Sequence, residues 1–229
     1  RQGYSILLIG DRDHAEVEGT AGEAPEATQL VSSVTEAERV SVPEPSRVVF
    51  LTQTTLSQYD TREIVARLRT RFPALEAPPA EDICYATQNR QKAVESVAQR
   101  VELVLVVGSK SSANSNRLVE VAQRAGARAL LIEDAAAIDP HWLADVNRIG
   151  LTAGASAPEV LVEQVSARLQ QLGFTQVEEV ELIPEDVRFA LPAELTRVTR
   201  RFSAHIFLAL AALGLLAVAW FVWLSLTRP

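Results

Sequence analysis

Short apolar runs alternate with amphipathic helical patterns along most of this chain, and this alternation limits the possible folds more than any other feature. Strands are predicted at residues 5–10, 29–31, 48–52, 101–107, 128–132 and 148–152. Helices are predicted at residues 57–72, 87–100, 114–125 and 158–172. Such alternation is typical of an α/β fold with mainly parallel sheets. The unbroken apolar run at 101–107 predicts a strand that is buried on both faces.

The run Leu-Glu-Ala-Pro-Pro-Ala at residues 75–80 has the composition of a linker and marks a domain boundary. We therefore expect two similar three-layer α/β domains, at residues 1–79 and 80–195. Residues 20–45 carry many acidic and small residues, and we expect loops there around the short strand at 29–31. No solenoid-type repeat is present.

Charge and cysteine content exclude some classes of protein. The chain has 229 residues, a formal net charge of −7 and 48% hydrophobic residues. An acidic chain without a basic stripe is not expected to bind nucleic acid. A single cysteine cannot form an internal disulfide and fits a reducing compartment. The absence of methionine and the start at a strand predict that the natural N-terminus is missing, with proteolytic maturation as the alternative.

Residues 202–227 contain no Asp, Glu, Lys or Arg and predict a C-terminal transmembrane helix. The apolar stretch is long enough to cross a hydrocarbon core of ~30 Å. Arg197, Arg200 and Arg201 precede it, and only Arg228 follows, so the soluble part is expected at the cytoplasmic face of the inner membrane. The alternative is a buried core helix, which would usually show a polar stripe.

Polar residues follow the first two long strands, at the sheet edge where α/β proteins bind ligands. His14 and Glu16 follow the first strand and can bind phosphate or transfer protons, although the local sequence alone favours a solvated acidic loop capped by Asp13. Thr54 and Thr55 follow the strand at 48–52, and helix capping by Ser57 leaves their hydroxyls free to face a ligand.

Two later loops have the composition of anion sites. Residues 109–116 contain hydroxyl and amide side chains, among them Ser112 and Asn114, at a helix N-terminus. One cap needs one such residue, so the excess favours a phosphate site over capping alone. Ser156 follows the strand at 148–152 in an S-x-x-E pattern, so it can cap a helix or contact a second anion.

The single thiol, Cys84, precedes a helix in the polar run Glu-Asp-Ile-Cys-Tyr-Ala-Thr at residues 81–87. Such a thiol can be a metal ligand, a nucleophile or an inert buried residue. Its polar neighbours disfavour the last of these. Without other cysteines, the common zinc sites are excluded.

Five segments together resemble the 4-hydroxy-3-methylbut-2-enyl diphosphate reductase family. They read HAEVEGT at 14–20, TQTTLS at 52–57, EDICYATQNRQ at 81–91, VVGSKSSANSNR at 106–117 and TAGASAPE at 152–159. The resemblance covers residues 5–192. Each motif alone is weak, but the ordered set is specific to this family.

The resemblance implies a pseudo-threefold enzyme around a 4Fe-4S cluster, which reduces an allylic diphosphate with electrons from a donor such as ferredoxin or flavodoxin. Cys84 matches one of three cluster ligands. Glu16 and Thr54 match the residues that deliver protons to the substrate, and Thr54 also contacts it. The residues that match diphosphate ligands are His14, Ser112, Asn114 and Ser156.

The sequence departs from the family pattern in three places. Ala113 stands where many members have a serine, and Ala15 replaces a commoner proline. The family's first domain, which should supply the other two cluster cysteines, is absent from these 229 residues. We therefore expect this chain to be inactive alone. The alternatives are a membrane-tethered diphosphate-binding module and one subunit of a split enzyme.

Overall fold

The computed structural model describes residues 3–78, 82–180 and 182. The strands and helices of this part are, in chain order, β1 Ser5–Ile9, α1 Ala15–Gly22, β2 Thr28–Val31, α2 Val34–Arg39, β3 Val48–Thr52, α3 Gln58–Arg71, α4 Tyr85–Ala98, β4 Leu103–Val107, α5 Ala113–Arg124, β5 Arg128–Ile132, β6 Ile149–Ala153 and α6 Glu159–Gln171. Two short 3-10 turns, Ala135–Ala137 and Pro140–Leu143, lie between β5 and β6. The predicted strands and the four predicted helices are confirmed, with ends that differ by at most two residues.

The strands form two parallel three-stranded sheets, with the orders β2-β1-β3 and β5-β4-β6. In each sheet, the strand that comes first in sequence, β1 or β4, lies in the middle. Residues 3–78 (the first half) and residues 82–180 (the second half) therefore share one topology. Ile9 pairs with Val31 and Thr52, which brings the carboxyl ends of β1, β2 and β3 to one edge. The strands of the second sheet end together in the same way. The parallel α/β class is confirmed.

The strand β4 is buried along its whole length, as its apolar sequence predicts. Val104 and Val106 pack with Leu118 on the side of α4 and α5. The alternate residues of β4 pack with Val165 and Leu169 of α6. Helices therefore cover both faces of this sheet, which is the expected three-layer arrangement.

The helix α2 lies in a region where only a short strand and loops were predicted. It begins after Ser33, whose hydroxyl accepts a hydrogen bond of 3.1 Å from the Glu36 N–H. Glu36 in turn accepts a hydrogen bond of 2.8 Å from the Ser32 N–H. These reciprocal bonds satisfy N–H groups at the start of the helix. Six residues are too few for helical periodicity to be visible in the sequence.

The predicted linker begins later than its composition indicated. The Glu76 N–H donates to the Val48 carbonyl at 2.9 Å, and the Phe50 N–H donates to the Glu76 carbonyl at 3.2 Å. Glu76 thus covers the outer edge of β3, where backbone groups would otherwise lack partners. The domain bounds at 1–79 and 80–195 stay predictions, since the second extends past the described residues.

No helix within the described residues is both long and apolar enough to cross a bilayer. The predicted transmembrane helix at 202–227 lies outside them. Its existence stays a prediction from the sequence.

The two halves are joined by a buried glutamine. Gln91 of α4 is 5% exposed. Its Nε2 donates to the Leu56 carbonyl at 2.8 Å, and its Oε1 accepts from the Gln58 N–H at 3.3 Å. Both partners belong to the first half, so one side chain of the second half completes the start of α3.

Candidate functional site

Glu16 and Thr54 meet at the carboxyl edge of the first sheet. Glu16 lies in the first turn of α1, just after β1, and Thr54 lies two residues after β3. The Thr54 N–H donates to Glu16 Oε1 at 2.9 Å, and the Thr54 hydroxyl donates to Glu16 Oε2 at 3.0 Å. One residue therefore holds both oxygens of the carboxylate. A carboxylate that shares a hydrogen bond with a hydroxyl can pass a proton through it.

His14 is the N-cap of α1. Its Nδ1 accepts a hydrogen bond of 3.3 Å from the Glu16 N–H. In the neutral ring, an accepting Nδ1 leaves the proton on Nε2, which can then donate to an anion. The expectation that Asp13 caps this loop is wrong, because the imidazole performs that task.

Cys84 and Asp82 attach the start of α4 to the end of β3. The Cys84 N–H donates to the Thr54 carbonyl at 3.3 Å, and Asp82 Oδ2 accepts from the Thr52 N–H at 2.8 Å. The Cys84 residue is exposed, so the alternative of an inert buried cysteine is wrong. These bonds bring the thiol segment next to the pair formed by Glu16 and Thr54.

Burial raises the pKa of the Asp82 carboxyl above its ordinary value. The hydrogen bond from the Thr52 N–H opposes this effect, and the negative charge of Glu16 adds to it. Two carboxyl groups therefore lie close enough at this edge for one to disfavour the ionisation of the other.

The start of α5 carries one cap and one buried amide without a partner. Ser112 is the N-cap, and its hydroxyl accepts from the Ser115 N–H at 3.3 Å. Asn114 is 7% exposed, yet neither its Oδ1 nor its Nδ2 has a hydrogen-bond partner. Nearly all buried polar groups in proteins are paired, so an unpaired amide needs an explanation such as a missing ligand or water.

Two glycines allow α5 to lie against the strand ends. A Cβ on Gly108, after β4, would lie 2.2 Å from the hydroxyl of Ser115, and a Cβ on Gly154, after β6, would lie at the same distance. Ser115 itself is 1% exposed. Any larger residue at either position would separate the helix start from the sheet.

A cavity of about 230 Å³ opens between these strand ends and α6. Ser109, Ser115 and Ser156 contribute to its wall together with Gly108. The N-cap of α6 is Pro158, and its side chain makes no capping bond. The interpretation of Ser156 as a helix cap is therefore wrong. Ser156 lines the cavity instead.

The structure thus brings the candidate residues into two groups. His14, Glu16, Thr54 and Cys84 lie at the edge of the first sheet, and the second group, Ser112, Asn114 and Ser156, lies at the loops after β4 and β6.

Two contributors at the first edge had no role in the sequence interpretation. Asp82 is one. The other is Gln53, which is 1% exposed. Gln53 accepts from the Asp11 N–H at 2.8 Å and donates to the Thr55 hydroxyl at 2.8 Å. The Thr55 oxygen is therefore engaged by a neighbour, contrary to expectation. Both residues lie within the quoted motifs, but their partners are 30 and 42 residues away, so no local pattern indicated the contacts.

The described residues do not by themselves form a site for an iron–sulfur cluster. They contain no group of three or more His, Cys, Asp or Glu side chains placed to hold a metal. Clusters of this kind are held by several cysteine thiolates, and Cys84 is the single cysteine of the 229 residues. Its exposed thiol at the edge of the site can supply one ligand at most.

Comparison with known proteins gives a consistent result. Residues 1–170 match the LytB protein family. The chain is 54% identical over 202 residues to 4-hydroxy-3-methylbut-2-enyl diphosphate reductase of Nocardia farcinica. The aligned region covers 88% of this chain and 60% of that protein. The chain is 55% identical over 196 residues to 4-hydroxy-3-methylbut-2-enyl diphosphate reductase 2 of Mycobacterium tuberculosis, which covers 85% and 58%. The chain thus spans about three fifths of the length of these relatives.

A solved structure shares the same fold. The E-1-hydroxy-2-methyl-but-2-enyl-4-diphosphate reductase from Plasmodium falciparum is 34% identical, with a TM-score of 0.77 over 87% of this chain and 64% of the other. The family match, the identities and this fold agree with the ordered motifs at the strand ends. The chain therefore belongs to the LytB protein family.

Proposed function

We propose that this chain supplies the diphosphate-binding and proton-transferring residues of an enzyme that reduces 4-hydroxy-3-methylbut-2-enyl diphosphate. The products are isopentenyl diphosphate and dimethylallyl diphosphate. The observation that carries the proposal is the set of hydrogen bonds at Thr54. Its N–H and hydroxyl donate to Glu16, and its carbonyl accepts from the Cys84 N–H. The names of the relatives support the reaction.

The diphosphate is bound by groups that can donate hydrogen bonds to its oxygens. His14 offers Nε2–H, since its Nδ1 accepts from Glu16. Asn114 offers an amide without a protein partner, and Ser156 offers a hydroxyl at the cavity wall. Ser112, at the start of α5, lies where the free N–H groups of the first helical turn favour an anion.

Glu16 and Thr54 transfer protons. The reaction breaks the carbon–oxygen bond of the substrate hydroxyl, which leaves as water after taking a proton, and two electrons with a second proton complete the new carbon–hydrogen bond. A carboxylic acid at Glu16 can give a proton through the Thr54 hydroxyl to the leaving oxygen. The electrons come from a donor protein such as ferredoxin or flavodoxin.

The proposed cofactor is a 4Fe-4S cluster with Cys84 as one ligand. Further thiolates must come from outside these 229 residues, because the chain has a single cysteine. Electron transfer to the substrate therefore needs more than this chain, which we expect to be inactive alone. The proposed location is the cytoplasmic face of the inner membrane, through the apolar stretch at 202–227.

A second candidate is a membrane-tethered diphosphate-binding module without redox activity, whereas a subunit of a split enzyme would take up iron once its partner polypeptide is added. The absence of a three-residue metal site among the described residues agrees with both candidates. The second candidate differs from the first in cluster content, because a pure binding module takes up no iron with any partner polypeptide.

The test is Glu16→Gln in a protein that contains this chain together with the remaining cluster ligands, prepared without oxygen. Turnover should fall by at least about a hundredfold, in the range found when a positioned general acid is removed. Iron content and visible absorbance should match the unaltered protein, because Gln keeps an acceptor for the Thr54 N–H.

Three outcomes would contradict the parts of this proposal separately. Unchanged turnover in the variant excludes the proton role of Glu16. Loss of iron in the variant assigns it a structural role. Turnover by the 229-residue chain alone, after addition of iron and sulfide, shows that the expected inactivity is wrong.

A further inference from the structure

Arg117 joins the two halves beside the proposed site. It lies on α5, and its side chain is 14% exposed. One terminal nitrogen lies 3.4 Å from Asp11 Oδ2, and the other lies 3.4 Å from Asp60 Oδ2 and 2.6 Å from Glu120 Oε2. Asp11 follows β1 and Asp60 lies in the first turn of α3, so both belong to the first half. A single guanidinium therefore contacts two elements of the other half.

Its contacts lie next to the residues proposed to bind the diphosphate. Asp11 precedes His14 by three residues, in the loop after β1. Arg117 follows Asn114 by three residues on the same helix, a spacing that puts both side chains on one face. Movement of α5 relative to this loop would change the distance between His14 and Asn114. The ion pair between Asp11 and Arg117 opposes that movement.

Most of the unpaired buried side-chain atoms in the described part of the chain belong to Asn114 and Arg117 of α5. Among the described residues, the buried side-chain atoms without a partner are Thr52 Oγ1, both amide atoms of Asn114 and Arg117 Nε. A guanidinium whose buried Nε–H has no partner does not maximise stability. Departures of this kind from full pairing are expected where function sets the geometry.

We infer that Arg117 is a positioning residue for the diphosphate site. It sets the distance between the loop that carries His14 and the helix start that carries Ser112 and Asn114. The inference rests on the proposed function, because it assumes that both parts contact one diphosphate.

The experiment measures the binding of inorganic pyrophosphate to the full 229-residue chain by calorimetry, at constant ionic strength since both the ion pairs and the anion respond to salt. Arg117→Ala should weaken binding about tenfold, within the range for residues that couple distant groups. The matched control is Arg124→Ala. Arg124 crosses the same interface about two turns further along α5. One of its terminal nitrogens lies 2.8 Å from Asp60 Oδ1, and its Cζ lies 4.8 Å from the centre of the Tyr59 ring.

The control separates positioning from general stability. Both variants should lower the melting temperature. The two arginines share Asp60, but Arg124→Ala should keep the affinity of the unaltered chain within about twofold, because it leaves the pair between Arg117 and Asp11 in place. Equal weakening in both variants overturns the inference, because it assigns the effect to the interface as a whole. Unchanged affinity in Arg117→Ala also overturns it, while leaving the proposed diphosphate site intact.

Two further variants test whether Arg117 acts through its ion pair with Asp11. Asp11→Ala should weaken binding, and the double variant with Arg117→Ala should be no weaker than the worse single variant. Additive losses overturn the inference. Arg117→Lys should recover part of the affinity, since its charge can still pair with Asp11. If the unaltered chain does not bind pyrophosphate, the proposed function fails at the diphosphate site itself.

Discussion

Asn114 keeps an amide that the fold does not satisfy. Its side chain is buried at the start of α5, with neither the oxygen nor the nitrogen of the amide hydrogen-bonded. An unpaired buried polar group costs roughly 1–3 kcal/mol. Phosphate oxygens can accept from its N–H groups. Under the proposed function, the residue gives up stability in the free protein in exchange for affinity, a compromise common at functional sites.

Asn114→Ala should leave the free energy of unfolding unchanged or raise it by up to about 2 kcal/mol, because the change removes the unpaired amide. The same variant should bind pyrophosphate more weakly. Urea denaturation gives the first quantity and calorimetry the second. Leu118→Ala is the control on the same helix, and it should lose about 2–5 kcal/mol because Leu118 is fully buried. A loss of that size in Asn114→Ala would show that the amide has a stabilising partner.

Contact between α5 and the strand ends depends on small residues on both sides. Ser115 lies between Gly108 and Gly154, which follow β4 and β6. The two glycines differ in how they meet it. A Cβ on Gly154 would clash with the Ser115 hydroxyl but stay 3.4 Å from its Cβ, whereas a Cβ on Gly108 would lie 2.8 Å from that Cβ. At Gly154, only the Ser115 hydroxyl limits how closely α5 can approach. At Gly108, the Ser115 Cβ limits it as well, and this atom moves only with the helix backbone.

Gly154→Ala should lower the free energy of unfolding by about 1–3 kcal/mol, the usual cost of overpacking. In a Ser115→Ala background most of this loss should disappear, because the clashing hydroxyl is gone. Gly108→Ala should lower the free energy of unfolding by as much or more, and adding Ser115→Ala should not restore the lost stability. Urea denaturation of the single and double variants gives both interaction energies. Equal recovery in the two pairs would contradict the described packing of α5.

The two halves depend on each other through polar contacts as well as ion pairs. Gln91 of the second half pairs with backbone groups of Leu56 and Gln58 in the first. Asp82 and Cys84 make equivalent contacts with the backbone at the end of β3. Asp82 and Cys84 of the second half therefore complete hydrogen bonds at the edge of the first sheet. The candidate site at that edge needs both halves.

Gln91→Leu should lower the free energy of unfolding by about 1–3 kcal/mol, since it leaves the Leu56 carbonyl and the Gln58 N–H unpaired. The control is Lys92→Leu, at the exposed neighbouring position, which should change it by less than about 0.5 kcal/mol. Urea denaturation followed by circular dichroism measures both. An equal, small effect of the two substitutions would mean that this contact between the halves contributes nothing to stability.

Local patterns in the sequence were sufficient for most of the fold. The apolar run of β4 and the alternation of strands with helices depend on residues a few positions apart, so their strands, the parallel class and the edge that carries the polar loops could be predicted. The helix α2 could not, because a six-residue element shows no period. The family motifs also brought Glu16, Thr54 and Cys84 into one hypothesis before any contact between them was known.

The contacts that make a site of these residues depend on tertiary structure. Glu16 and Thr54 are 38 residues apart, and Asp82 reaches Thr52 across 30 residues, so only the pairing of β1 with β3 and the return of the chain before α4 bring them together. The sequence likewise favoured an anion site at residues 109–116 and left Ser156 open between a helix cap and an anion contact. Packing decided that Ser112 caps a helix, that Ser156 lines a cavity and that Asn114 keeps a buried amide without a partner, because hydrogen-bond satisfaction depends on every neighbour in space.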